Sequence, residues 1–552
     1  MSNNGNVLAL LGDEAAALGA IHAGLSAAYG YPGTPSTEIL EYLIEKSRES
    51  GSGEGGAFTA KWCSNEKTAL ETALGTSFAG KRAIVTMKHV GLNVAADPYM
   101  NSALLHINGG LVIAVADDPG MHSSQGEQDS RYFSAFALAP CLEPRNQQEA
   151  YDMCREAFEV SERFQLPVML RLSTRLSHAR AAVKPGPAGK QNKLSKIKDR
   201  TRWLLLPAYS RRNYAELVEK QKDLTAWSTT NRINKLEMGD PSFAIITSGL
   251  GGNYYEENLN DLLSSRGGKA PSRLHIGVYP LPVDSIKKLC EKAEKVLIIE
   301  EGQPFIEERI KGILPQKVTI NGKLDGTLDR TGELDPDNVR KSLGLPAQSS
   351  VLDSGLNIPE LPGRPPQLCK GCPHADSYLA INKALAELGS GQGFPDSAIT
   401  SDIGCYTLSA LPPYSAVESC VCMGASVAMA RGAAEAGIKY AVATIGDSTF
   451  LHSGMTGLVD AVGSNAPMTL IILDNSIVAM TGCQETIVPS EKLKDLVLGL
   501  GVNPEHLLEL EAKAQFQDEN VTKLKKEFEY RGLSVVIFRR ECLEAFRRRN
   551  KK

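Results

Sequence analysis

The chain has 552 residues, enough for three or four domains at roughly 100–200 residues each. Hydrophobic residues make up 42% and charged residues 22%, the ordinary balance of a globular protein, and the formal net charge of −4 offers no basic stripe for nucleic acid. No apolar run reaches the ~18 residues that span a bilayer, and Asp13 and Glu14 interrupt any early secretory pattern, so a cytoplasmic location is expected. The 11 cysteines are then poor disulfide candidates, and their spacing points to metal or redox chemistry. The basic tail Arg547–Lys552 reads as a solvated helix end.

In chain order, Val7–Leu11, Ala83–Thr86 and Leu111–Ala116 read as buried strands, with helical segments such as Asn65–Phe78 between them. That alternation predicts a doubly wound parallel sheet over residues 1–183. Residues 184–240 are rich in Lys, Arg and polar side chains and read as a linker or insert with some helix. A second α/β unit is expected over 241–346, with strands Ala244–Thr247 and Val296–Ile299 and a glycine-rich turn at Gly249–Gly252. The Pro-, Ser- and Gly-rich stretch 347–366 reads as a linker. A third α/β unit fills 367–552, with strands near Tyr440–Ile445, Met468–Leu473 and Leu533–Phe538.

The strongest motif is Ile445-Gly446-Asp447-Ser448 after one strand and Asp474-Asn475-Ser476-Ile477 after the next. One helix and one strand separate Asp447 from Asn475, so both emerge at the carboxyl ends of neighbouring parallel strands, where doubly wound sheets bind ligands. A carboxylate, an amide oxygen and a backbone carbonyl are hard donors that can complete a Mg²⁺ octahedron with two diphosphate oxygens and a water. Gly446 leaves room for close backbone approach. The plainer alternative is a strand-end turn followed by an Asx turn. The pattern resembles the GDG-to-N signature of thiamine diphosphate enzymes, in which the metal ligands fall on Asp447, Asn475 and the carbonyl of Ile477. Ser448 departs from the usual third glycine.

Such an enzyme also needs a carboxylic acid, kept neutral in an apolar pocket, facing the aminopyrimidine N1′. Glu66 opens a helix backed by Ala69, Ala73 and Gly75; a first-turn Glu complementing the helix dipole is the alternative. Tyr31-Pro32-Gly33-Thr34-Pro35-Ser36 is a rigid turn with a hydroxyl at its centre. Lys88 and His89 follow a buried strand, and either can hold a substrate carboxylate or sit on a surface loop.

GYPGTPSTEI, WCSNEKTAL, TMKHVGLNVAADP, VYPLP, VLIIEEGQPFIEE, CKGCPHAD, SDIGCYTL, CMGASVAMA, GDSTFLHSGMTGL and ILDNSIVAMTGCQ occur in this order. Together they resemble the large subunit of indolepyruvate ferredoxin oxidoreductase, from Leu10 to Cys542. The resemblance implies two thiamine-diphosphate-binding doubly wound domains, pyrimidine-binding first and diphosphate-binding last, flanking a smaller transketolase-C-like α/β domain. It implies oxidative decarboxylation of an aryl 2-oxoacid to an acyl-CoA, with electrons passed to ferredoxin, and a smaller partner subunit in a heterotetramer. It puts Glu66 and Thr34 at pyrimidine and substrate, and Gly404, Met423, Gly446, Ser448 and Ile477 among cofactor-binding positions. The chain departs from the family in lacking the usual carboxy-terminal ferredoxin domain. It also carries Lys370 in place of proline, Cys483 in place of histidine, and Asp376 where a basic residue is common.

Cysteines at places matching Cys369, Cys372, Cys405 and Cys542 bind a 4Fe–4S cluster in the related pyruvate oxidoreductases, and a four-thiolate set suits such a cluster. Buried small hydrophobes or a zinc site are the alternatives. Cys420 and Cys422 read as core. Two function classes stay open: a redox 2-oxoacid oxidoreductase, which the cysteines favour, and a non-redox thiamine-dependent C–C lyase or ligase, which the missing ferredoxin domain favours. The intact metal and Glu66 motifs argue against a scaffold without catalysis.

Overall fold

The computed structural model describes residues 7–49, 58–314, 317–347, 367–420 and 422–550. The chain divides into two compact units, Met1–Ile358 and Pro359–Lys552. Most of the expected linker 347–366 lies outside the described residues. No described helix is long and apolar enough to cross a membrane.

The first unit carries two main sheets. Its seven-stranded sheet runs Val278–Tyr279, Cys141–Leu142, Val168–Ser173, Leu111–Asp117, Ala83–Lys88, Ala27–Gly30, Thr59–Trp62. All neighbours are parallel except the first pair. The central strand Leu111–Asp117 is buried at every position, as continuous apolar runs covered on both faces should be. The segment from Leu236 onward builds a five-stranded sheet around Asp240–Ser248. It also lends the strand Val278–Tyr279 to the larger sheet. The stretch between the sheets forms the long helix Pro207–Thr230, opened by a proline that needs no donor there.

Val7–Leu11 departs from expectation. Leu8–Leu11 pairs antiparallel with Arg180–Val183 in a separate two-stranded ribbon, and Val7 is 62% exposed. A short apolar run looks the same at a sheet edge as in a core.

An acid-rich lock lies inside this unit. Arg131 Nη2 meets Asp129 at 2.5 Å and Arg131 Nη1 meets Glu300 at 3.0 Å. Arg171 Nε meets Asp117 at 2.6 Å, and Arg171 also pairs with Glu143, which accepts from the Tyr279 hydroxyl at 2.6 Å. All of these side chains are buried. Asp129 lies between the strands Leu111–Asp117 and Cys141–Leu142 of the first sheet, whereas Glu300 directly follows the strand Lys295–Ile299 of the second, so the ion pairs fasten the two together.

The second unit has one six-stranded, all-parallel sheet: Ser419–Cys420, Ser397–Ser401, Tyr440–Gly446, Met468–Asp474, Ser534–Arg539, Leu507–Glu511. Tyr440–Gly446 and Met468–Asp474 are adjacent and fully buried.

Candidate functional site

In the second unit, Asp447 directly follows one central strand and Asn475 follows its neighbour. Asp447 Oδ1 accepts the Ser448 N–H and Oδ2 accepts the Ser476 N–H, both at 2.8 Å. Burial, then the charge of Asp474 beside it, raise the Asp447 carboxyl well above the usual carboxylate range. Asp474 is itself buried, and takes the Ser490 hydroxyl and the Ser476 N–H. Asn475 Nδ2 lies 3.1 Å from His374 Nε2. Burial lowers His374 to about 4, so the neutral imidazole accepts from the amide nitrogen. The amide oxygen then stands on the other side, within 3.2 Å of the Ile477 N–H. Two buried carboxylates side by side repel, and a cation offsets that repulsion. Oxygen donors from Asp447, Asn475 and Ile477 therefore fit Mg²⁺.

Gly446 is required for a neighbour that sequence reasoning missed. A Cβ there would stand 2.6 Å from the Tyr406 ring, and one on Gly404 would stand 2.2 Å from it. Tyr406 thus packs between the two glycines and against His374 at 5.9 Å. Asp402 was also missed. It is fully buried, accepts from the Ser426 hydroxyl and N–H, and is pushed up to about 7 by burial. Its position one residue past the strand Ser397–Ser401 was the available signal. Ser448 lies in the short turn of helix Asp447–Thr449, and Met423, half-buried, precedes the left-handed Gly424.

Cys405 and Cys542 each follow a strand of this sheet. Cys372 N–H donates to the Cys369 carbonyl at 3.0 Å, closing the C-x-x-C turn. A Cβ on Gly371 would stand 3.2 Å from Leu543, so this turn lies against the start of helix Leu543–Arg549, which Cys542 caps. The Cys542 N–H donates to the Asn475 carbonyl at 3.2 Å. Burial pushes the Cys405 thiol up to about 12, and negative charge on Cys372, Cys542, Cys369 and Cys483 adds to it. Among the described residues no three His, Cys, Asp or Glu side chains are grouped to hold a single metal ion. An iron–sulfur cluster makes a different demand, since each thiolate binds its own iron. Cys420 and Cys422 are exposed, not core; Cys420 ends the edge strand Ser419–Cys420, and Cys422 lies just past it. Asp376 pairs with Arg540 Nη1 at 2.7 Å, so the acid at this position has its own cation.

In the first unit, Glu66 opens the helix Glu66–Phe78, whose cap Asn65 accepts the Thr68 N–H at 2.9 Å. Glu66 is 5% exposed, and a Cβ on Gly91 would stand 2.5 Å from its Oε1. Gly91 therefore leaves the space that the carboxyl occupies. Lys88 ends the strand Ala83–Lys88, and its stem runs along Gly33, whose added Cβ would stand 3.3 Å from Cδ. Burial lowers the Lys88 pKa, against the charges of Asp118 and Glu66. Thr34, half-buried next to Gly33, accepts the Ser123 hydroxyl at its carbonyl, 3.3 Å. The turn, Lys88 and Glu66 thus share one neighbourhood. His89 is turned elsewhere: its Nε2 lies 2.9 Å from the Gly126 carbonyl and holds the loop after Asp118. Asp118, not singled out from sequence, binds that loop through Ser123 N–H and Ser124 Oγ and is lowered to about 2 by Thr174, Ser123 and Ser124 despite burial.

Two family models match the chain. Residues 18–216 match the pyruvate flavodoxin/ferredoxin oxidoreductase thiamine-diphosphate-binding domain, and residues 402–536 match the thiamine pyrophosphate enzyme C-terminal binding domain. The indolepyruvate oxidoreductase subunit IorA of Archaeoglobus fulgidus is 36% identical over 98% of this chain and 87% of its own length. IorA of Methanothermobacter marburgensis is 36% identical, covering 98% and 88%, and that of Thermococcus kodakarensis 35%, covering 98% and 86%. The chain belongs to the indolepyruvate oxidoreductase IorA family. It is thereby a thiamine-diphosphate-dependent oxidoreductase subunit of the expected α/β class. A solved 2-oxoglutarate:ferredoxin oxidoreductase from Magnetococcus marinus shares the fold, with a TM-score of 0.50 and 18% identity over 62% of this chain and 66% of that one.

Proposed function

We propose that the chain is the large subunit of an oxidoreductase that converts an aryl 2-oxoacid and coenzyme A to acyl-CoA, CO₂, a proton and two electrons. The observation that carries this reading is the strand-end set Asp447, Asn475 and Ile477, where a buried carboxyl faces Asp474 and, among the described residues, no buried cation stands between them. The IorA relatives supply the substrate class.

When bound, thiamine diphosphate supplies the nucleophilic carbon and electron sink for decarboxylation. Asp447, Asn475 Oδ1 and the Ile477 carbonyl would hold Mg²⁺, which would supply positive charge for the diphosphate. His374 and Tyr406 fix the face of Asn475 that turns to the metal. Glu66 holds a proton toward the pyrimidine N1′ from a buried helix start. Lys88 neutralises the substrate carboxylate, and its low-dielectric setting strengthens that contact. Thr34 presents its hydroxyl beside it. Cys369, Cys372, Cys405 and Cys542 would hold a 4Fe–4S cluster, which would supply a one-electron path toward ferredoxin or another acceptor. A smaller subunit completes the assembly.

The test is an anaerobic assay of the chain with its smaller subunit, an aryl pyruvate, CoA and a viologen dye. CO₂ release should be matched by dye reduction and should need CoA. Release of CO₂ with no dye reduction would instead support the non-redox lyase or ligase.

A further inference from the structure

A fifth cysteine stands at the cysteine-rich edge of the second unit. Cys483 lies in the hairpin formed by Ile477–Val478 and Gln484–Glu485. That hairpin starts two residues after Asn475, whose carbonyl accepts the Cys542 N–H at 3.2 Å. At its other end, the Gly482 carbonyl accepts from Arg548 Nη1 at 3.0 Å, and Arg548 belongs to the helix that Cys542 caps. The segments carrying Cys483 and Cys542 are therefore hydrogen-bonded to each other on both sides. Cys483 N–H donates to the Val478 carbonyl at 3.1 Å, which fixes the hairpin tip. Cys483 keeps φ at 67°, left-handed backbone that a non-glycine residue adopts at a cost. The Cys542–Asn475 and Arg548–Gly482 hydrogen bonds put the Cys483 segment on the Cys542 side of the group.

We propose that Cys483 is an alternative ligand for the iron that Cys542 serves. The proposal rests on the cluster reading above. Exchange swaps one thiolate for another: the Cys483 thiol gives up its proton to solvent as it binds, and the released Cys542 thiolate takes one up. No electron moves, and no further reactant is needed. Cys542 is the ligand best suited to exchange, because it leads a short helix of seven residues, Leu543–Arg549, in which no side chain is buried.

The experiment compares the full chain, reconstituted anaerobically with iron and sulfide, with Cys542→Ser, Cys483→Ser and the double variant. The readouts are iron and acid-labile sulfide content, the EPR spectrum of the reduced protein, and alkylation of Cys483 followed by mass spectrometry. Far-UV circular dichroism checks that each variant is folded. In the wild type, Cys483 should alkylate freely while the cluster is bound. In Cys542→Ser, most of the iron should remain, the EPR spectrum should shift, and Cys483 should become protected. The double variant should lose iron that both single variants keep. Equal iron content and equal spectra in Cys542→Ser and the double variant, or unchanged alkylation of Cys483, would overturn the proposal and leave the cluster intact. A wild-type chain that binds no iron would overturn the cluster and this proposal together.

Discussion

Buried acids in the two units are handled in opposite ways. In the first, Asp117, Asp129, Glu143 and Glu300 are met by the guanidinium groups of Arg131 and Arg171, themselves fully buried. In the second, buried Asp447 and Asp474 share backbone N–H groups and a serine hydroxyl, and the nearest cation, Arg539, stands 3.6 Å from Asp474 with a side chain 29% exposed. An acid with an internal cation holds the fold together. An acid left beside another acid at a strand end calls for a cation from outside. Glu66 is of neither kind: its carboxyl fills the space that Gly91 leaves at a helix start, and its charge acts on Lys88.

The comparison predicts that functional acids can be replaced without loss of stability and that structural pairs cannot. The largest effect is expected at Glu66. Glu66→Gln should lower turnover by roughly 10²–10⁴-fold, the range for losing a positioned proton-transfer group, and leave the urea midpoint nearly unchanged. Turnover within a few-fold of wild type would remove Glu66 from the functional set. Next is Arg131→Met, which strands Asp129 and Glu300 in the interior. Chemical unfolding should show a loss of about 3–5 kcal/mol. Asp447→Asn in the cofactor-free chain should cost less than about 1 kcal/mol or stabilise it, because burial and Asp474 already disfavour the charged form of this carboxyl. Equal losses in these two variants would break the comparison.

A smaller effect should appear in the pH dependence. Burial pushes Glu300 and Glu301 up to about 7, against the lowering influence of Arg131 and Arg171 respectively. A carboxyl whose folded pKa is raised binds its proton more tightly in the folded chain. Its stabilising contribution is complete below the ordinary glutamate pKa and is lost as pH rises through about 7. Urea midpoints should therefore fall from about pH 5 to pH 7 and flatten above it. Glu300→Gln should make that slope shallower, and an unchanged slope would assign the proton elsewhere.

Local patterns made part of this legible in the sequence. The strands leading to Asp447 and Asn475 are apolar runs ended by small polar residues, and the structure places both side chains at adjacent strand ends as the pattern requires. The Glu66 helix start was equally plain from Asn65 and the alanines behind it. The Asp129–Arg131–Glu300 lock was not, because its members come from distant segments and only the folded sheets bring them together. Tyr406 was hidden for the same reason: its place between Gly404 and Gly446 depends on two strand ends meeting. The misread Val7–Leu11, Cys420 and Cys422 show the limit of apolarity as a guide, since edge ribbons and loops use the same residues as cores.

Calorimetric titration of thiamine diphosphate with Mg²⁺ into the wild-type chain and into Asp447→Ala tests the central claim most directly. The account predicts binding that needs Mg²⁺ in the wild type and no measurable binding in Asp447→Ala, whose circular dichroism stays that of the folded chain. Unchanged affinity in a folded Asp447→Ala would contradict it.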